Sequence, residues 1–322
     1  VEFGDRDQEN TINGTMGKHL GSGSFCHVIE ISPNDSGQSD ASSTNDKNSR
    51  FLRIPRQAAY TKGVEKECKI LQKLQDEKEL SEYIPRVLVP PANSKDNDDN
   101  DDNNNGLHHV KVSIHNEFSF MTGMLLSGVV GQPLEKLTDA EWKEHRITII
   151  EAVAEALRIA HAKHIYHLDV RPSNIIVKTA PANQGIDQAP IQVMLTDWGC
   201  AWEYPKDGSG KMLDGFRGCY PYAHDDLLGE ELELWRPEPH HDFASLMYTC
   251  CDMDNGRSAE DWVDQFVRMD AGDDLLKMRR DSVKKMASKK WFRADLSNDV
   301  KAKLLASVVK ETKEEDEGGC ST

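Results

Sequence analysis

The chain has 322 residues, 29% of them charged, and a formal net charge of −16 at pH 7. That acidic excess repels nucleic acid and anionic membrane surfaces, so neither is an expected partner, and no run of about 20 apolar residues is present to span a bilayer. Seven cysteines form an odd, unpaired set and the start is polar, which suits reduced thiols inside a cell, in cytoplasm or nucleus. With Val1 first, the sequence reads as a fragment. Oligomeric state is not legible.

In chain order, Leu20 to Val28 contains Gly21, Ser22, Gly23, Ser24 and Cys26, a Gly/Ser turn that by itself reads as a plain hairpin. Arg50 to Pro55 is an apolar strand with one internal cation, Arg53. Val64, Cys68, Leu71 and Leu74 predict a helix over 61–75, on which Glu67 by itself reads as a solvent-facing charge. The run from Met124 to Leu134 is a buried strand ending in a turn or a hinge between lobes. Ile147, Ile150, Val153, Leu157 and Ala160 lie on one face of a helix over 141–163.

The chemistry concentrates next. His167, Leu168, Asp169, Val170, Arg171, Pro172, Ser173 and Asn174 form one run, and Asp197, Trp198 and Gly199 follow the strand IQVMLT. A carboxylate able to accept a hydroxyl proton, a cation two positions on, and an amide plus a second carboxylate able to hold Mg2+ are the parts phosphoryl transfer from ATP requires. Such a site does little covalent chemistry. It must align the attacking hydroxyl and neutralise phosphate charge, for which hard oxygen ligands and a bidentate cation are suited.

Beyond Gly199 a polar stretch leads to Gly218, Cys219, Tyr220, Pro221, Tyr222, Ala223, His224, Asp225, Asp226, Leu227 and Leu228, and a helix begins near His241, Asp242 and Phe243. Segments 258–270, 272–287 and 297–309 have amphipathic helical patterning. Ser32 to Ser49, Asn93 to Gly106 and Ala180 to Pro190 have too few apolar residues to bury and are expected as mobile loops. His108, His109, His115, His240 and His241 lack metal-ligand spacing, and no CxxC is present.

The two chemical runs resemble the catalytic loop and metal-binding triplet of the eukaryotic protein kinase superfamily, with Leu168, Arg171 and Trp198 as departures from HRDxK and DFG. The hairpin is similar to the glycine-rich loop, Cys26 replacing its third glycine. Arg53 stands where the family has a phosphate-binding Lys, a feature shared with aminoglycoside phosphotransferases. The resemblance implies an α+β, two-lobed fold, with a small mainly antiparallel β lobe carrying one key helix (about 15–126) and a larger mainly α-helical lobe (about 127–310). Residues 311–322 form an acidic tail. It also implies catalytic roles for Asp169, Arg171, Asn174, Asp197, Arg53 and Glu67, the last two as an ion pair, and ATP contacts at Gly21, Ser22, Gly23, Ser24, Val28, Arg53 and Leu126. Mg2+ falls to Asn174 and Asp197. Leu126 would be the gatekeeper, with Met124 or Leu125 if the register slips. Asp226 matches the family's activation-segment Glu, and Asp242 is either a catalytic-loop brace or a helix cap.

The implied function is an ATP-dependent Ser/Thr protein kinase. The alternatives are a small-molecule kinase of the aminoglycoside or choline kinase type and a nucleotide-binding pseudokinase scaffold. Leu168 cannot pair with a phosphate, and Ser209 is the only aliphatic hydroxyl between Cys200 and Arg217, so activity should not depend on phosphorylating that segment.

Overall fold

The computed structural model describes residues 2–3, 12–22, 26–33, 49–88, 107–114, 117–179, 191–205, 207–228, 234–254 and 273–308. Gly23, Ser24, the 258–270 segment, the tail, and nearly all of the three low-complexity stretches lie outside the described residues.

The small lobe is an antiparallel sheet of β1 (Glu2–Phe3), β2 (Ile12–Ser22), β3 (Cys26–Pro33), β4 (Ser49–Pro55), then, after helix α1 (Thr61–Gln75), β5 (Arg86–Val87), β6 (Leu107–Ile114) and β7 (Glu117–Gly128). The order is β4-β3-β2-β1-β6-β7-β5, and β7 also pairs with β4, so the sheet curls back on itself. Strand alternation divides it into two faces. Cys26, Phe51, Met124 and Leu126 join the main core with α1, while Ile29, Ile31, Leu52, Ile54 and Leu125 form a separate outer cluster. That alternation excludes Leu125 as the cleft-facing gatekeeper.

The expected hinge is shorter than the sequence suggested. Met124 to Gly128 pairs with β4, and Ser127 also pairs with Arg86 of β5, which leaves Val129 to Gly131 as the span between strands. Gly131 is required there, because a Cβ at this position would sit 2.3 Å from the Val177 carbonyl oxygen.

The large lobe continues with β8 (Gln132–Pro133), α2 (Asp139–Ala162), β9 (Ile165–Tyr166), β10 (Ile175–Lys178), β11 (Gln192–Leu195), β12 (Trp202–Glu203), β13 (Leu213–Asp214), β14 (Leu234–Trp235), α3 (Pro239–Asp254), α4 (Asp273–Ser288), α5 (Lys290–Ala294) and α6 (Asn298–Ala306). A capping box starts α2: Thr138 Oγ1 accepts from Glu141 N, and the Glu141 carboxylate accepts from Thr138 N. The buried surface of α2 is wider than one stripe, adding Trp142, Ile149, Ala154, Ala156 and Ile159, because α2 is covered from more than one side; Ile147 packs only at the margin. One continuous core runs from Cys26 and Val64 through α2 to Phe243 and Leu304. No helix among the described residues is long and apolar enough to cross a membrane.

Candidate active site

The antiparallel hairpin β10–β11 brings the two chemical runs together. Ile175 pairs with Leu195, and Thr196 N donates to the Asn174 carbonyl at 2.8 Å, so the loop ending at Asn174 and the triplet starting at Asp197 leave adjacent strands. Asn174 Nδ2 donates both to the Asp169 carbonyl (2.8 Å) and to Asp169 Oδ2 (2.9 Å). Cys219 N donates to Asp169 Oδ1 at 2.9 Å, and Arg171 Nε lies 3.3 Å from Asp169 Oδ2. Burial raises Asp169 to about 6; Arg171 and Asn174 oppose this and the nearby Asp197 carboxylate adds to it.

On the small-lobe side, Arg53 on β4 forks between two carboxylates, Nε to Glu67 Oε2 at 2.9 Å and Nη2 to Asp197 Oδ1 at 2.6 Å. Glu67 is 2% exposed, which rejects the solvent-facing alternative. Its other oxygen accepts from Trp198 N at 3.1 Å, so α1 grips the triplet directly. Burial lifts Glu67 to about 7 against the pull of Arg53. For Asp197 burial also pushes upward, but Arg53 outweighs it and holds the group below the usual carboxylate range. Cys26 is buried with its thiol facing Arg53, Glu67 and Asp197. Gly21 and Ser22 end β2 opposite Val28 and His27, and Val28 packs at the edge of the core. Leu126 pairs with Phe51, two residues before Arg53.

Both halves rest on strained or buried backbone. Leu168 (φ 63°) and Asp197 (φ 62°) are non-glycine residues in the left-handed region, a conformation kept only where surroundings enforce it. Asp242 enforces the first: its carboxylate, 0% exposed, accepts from His167 N (2.8 Å) and Leu168 N (2.7 Å) and pairs with the His161 ring (2.8 Å). The brace reading of Asp242 therefore holds over the helix cap. The Leu168 side chain is buried with Leu213, Ala223, Leu227 and Trp235. Gly218 passes so close that a Cβ there would meet the Leu168 carbonyl oxygen at 2.1 Å.

Two sequence expectations need correction here. The anchored carboxylate after Tyr222 is Asp225, not Asp226: Arg279 on α4 reaches Asp225 Oδ1 (2.8 Å) and the carbonyls of Tyr220, Pro221 and Ala223, whereas Asp226 is half exposed beside His224. Arg279, fully buried, escaped the sequence reading; its signal was a cation sharing one helix face with Val283 and Met286. Histidines also gather where spacing suggested none, with ligand atoms of His224, His240 and His241 within 4.8 Å of one another. Nδ1 of His224 accepts from Asp226 N and Nδ1 of His241 from Glu238 N, so those two rings are committed as acceptors to backbone amides.

The donor set fits a hard divalent ion. Asn174 spends its amide nitrogen on Asp169 and keeps Oδ1 without a hydrogen bond among the described residues, and Asp197 keeps Oδ2.

The profile of the protein kinase domain matches residues 15–235, and the chain belongs to that family. Over 87 residues it is 39% identical to the serine/threonine-protein kinase PknF of Mycobacterium tuberculosis and of Mycobacterium bovis. That match covers 26% of this chain and spans only 17% of the length of those relatives.

Proposed function

We propose that the chain transfers the γ-phosphate of ATP to Ser or Thr hydroxyls of protein substrates, through a kinase domain spanning about residues 15–310 with its lobes meeting near 126–127. The observation that carries this reading is the fixed Asp169 carboxylate, held by Asn174 and Cys219 N with Arg171 beside it. A base raised to about 6 is ionised at neutral pH yet basic enough to take a hydroxyl proton. Arg171 steadies the moving phosphoryl group, and Arg53, aimed by Glu67, takes the phosphates of ATP, with Gly21, Ser22, Gly23, Ser24, Val28 and Leu126 as the further ATP contacts. Bound through Asn174 and Asp197, Mg2+ would neutralise the charge on those phosphates. A basic residue two after Asp169 and the length of the 199–228 segment favour a protein acceptor over a metabolite. The PknF relatives, named as serine/threonine kinases, point the same way.

Incubation with labelled ATP, Mg2+ and a general protein substrate tests this. Label on protein, reduced at least about a hundredfold by Asp169→Ala, supports the reading. Label only on an aminoglycoside or choline acceptor selects the small-molecule kinase, and nucleotide binding without transfer selects the scaffold.

A further inference from the structure

Resting on the kinase reading above, we propose that Trp202 is a positioning residue whose indole, shared by Lys66 and Arg217, seats Glu67 on one side of the site and Cys219 on the other. Lys66 Nζ lies 4.7 Å from the centre of the Trp202 ring, and Arg217 Cζ lies 5.0 Å from it. The Lys66 ammonium is buried and has no hydrogen-bond acceptor among the described residues, so the ring face is what receives it. Burial, reinforced by the like charge of Arg217, lowers Lys66 to about 8. Among the described residues no ion pair to a carboxylate offsets the repulsion between these two cations, and an electron-rich indole face is a surface that attracts both.

The ring itself is fixed. Trp202 pairs with Tyr166, the residue preceding His167, and its Nε1 donates to the Lys211 carbonyl at 2.9 Å. From that anchor two short paths lead to the chemistry. Lys66 precedes Glu67, which holds both Arg53 and Trp198 N. Arg217, whose carbonyl accepts from the Cys200 thiol, stands two residues before Cys219, whose amide holds Asp169. A second tie of the same kind, the ion pair of Lys73 with Glu203, connects α1 to the residue after Trp202.

Four variants of the full chain test this: Trp202→Leu removes the π face and keeps apolar bulk, Trp202→Phe keeps the face, Lys66→Met removes the charge and Lys66→Arg keeps it. Trp202→Leu and Lys66→Met are expected to raise the Mg2+·ATP KM about tenfold and to speed amide exchange over residues 61–75. Trp202→Phe and Lys66→Arg restore both readouts toward wild type at an equal melting temperature. Equal behaviour of the Leu and Phe variants, or unchanged exchange in α1, overturns the proposal. A wild-type chain that binds no nucleotide overturns the kinase reading instead, and the exchange comparison still decides whether the indole holds α1.

Discussion

Two buried carboxylates brace the site from opposite lobes, and they are built differently. Asp242 accepts three hydrogen bonds, two from backbone amides and one from His161, and these outweigh burial to hold it below the usual carboxylate range. Glu67 is nearly as buried but is satisfied by one guanidinium and one amide, and burial wins, lifting it to about 7. A carboxylate saturated with donors is a permanent fixture, whereas one balanced between desolvation and a single cation changes state near neutrality. The 167–174 loop therefore stands on a fixed support, and the Arg53 side on an adjustable one.

Removing each support should separate them. Asp242→Ala leaves two buried amides without acceptors beneath a strained Leu168, and is expected to cost about 3–5 kcal/mol of stability, read from chemical denaturation, together with loss of transfer. Glu67→Gln is expected to cost under about 1 kcal/mol at pH 7, because the glutamate is close to half protonated there. Its effect should appear in catalysis, as an ATP KM raised about tenfold once Arg53 loses its aim. If the two variants destabilise equally, the distinction between the supports fails.

The pH profile sharpens the same contrast. In the proposed function Asp169 must be ionised to accept a proton and Glu67 to orient Arg53, so transfer is expected to fall as pH drops through about 7 and then about 6. Its acid limb should be steeper than a single titration gives. Stability runs the opposite way. Both groups are raised in the fold, so what they contribute is present at acid pH and lost as pH climbs through their folded values. A profile with a unit acid slope would remove one of the two groups from this scheme. The smallest expected effect is that of Ser209→Ala: Ser209 is exposed in a turn whose backbone amide bonds Asp207, and turnover should remain within about twofold of wild type.

How much of this was legible in the sequence follows from distance along the chain. The Arg53 and Glu67 pairing could be read only through the kinase resemblance, with which the phases of the strand and the next helix agree. The 167–174 run and the 197–199 triplet could be read because residue types and spacing encode the chemistry locally. Arg279 could not, since its partners at 220–225 lie more than 50 positions away and nothing in a helical pattern names the far end of a contact. Asp225 was missed because it stands next to a second aspartate, and only the contact with the distant Arg279 tells the two apart. Trp202 gave no signal because its strand is two residues long, too short for any period to mark a contact.

The substitution at Leu168 has a consequence for the conditions under which the segment stays put. Where a phosphate and an arginine clasp a loop, added salt loosens them; here the contact is oily, formed by Leu168, Leu213, Leu227 and Trp235. Such a contact is not screened by salt and weakens on cooling. The seat of Leu168 should thus respond to temperature more than to salt, while the Arg279–Asp225 pair holds the same stretch by charge.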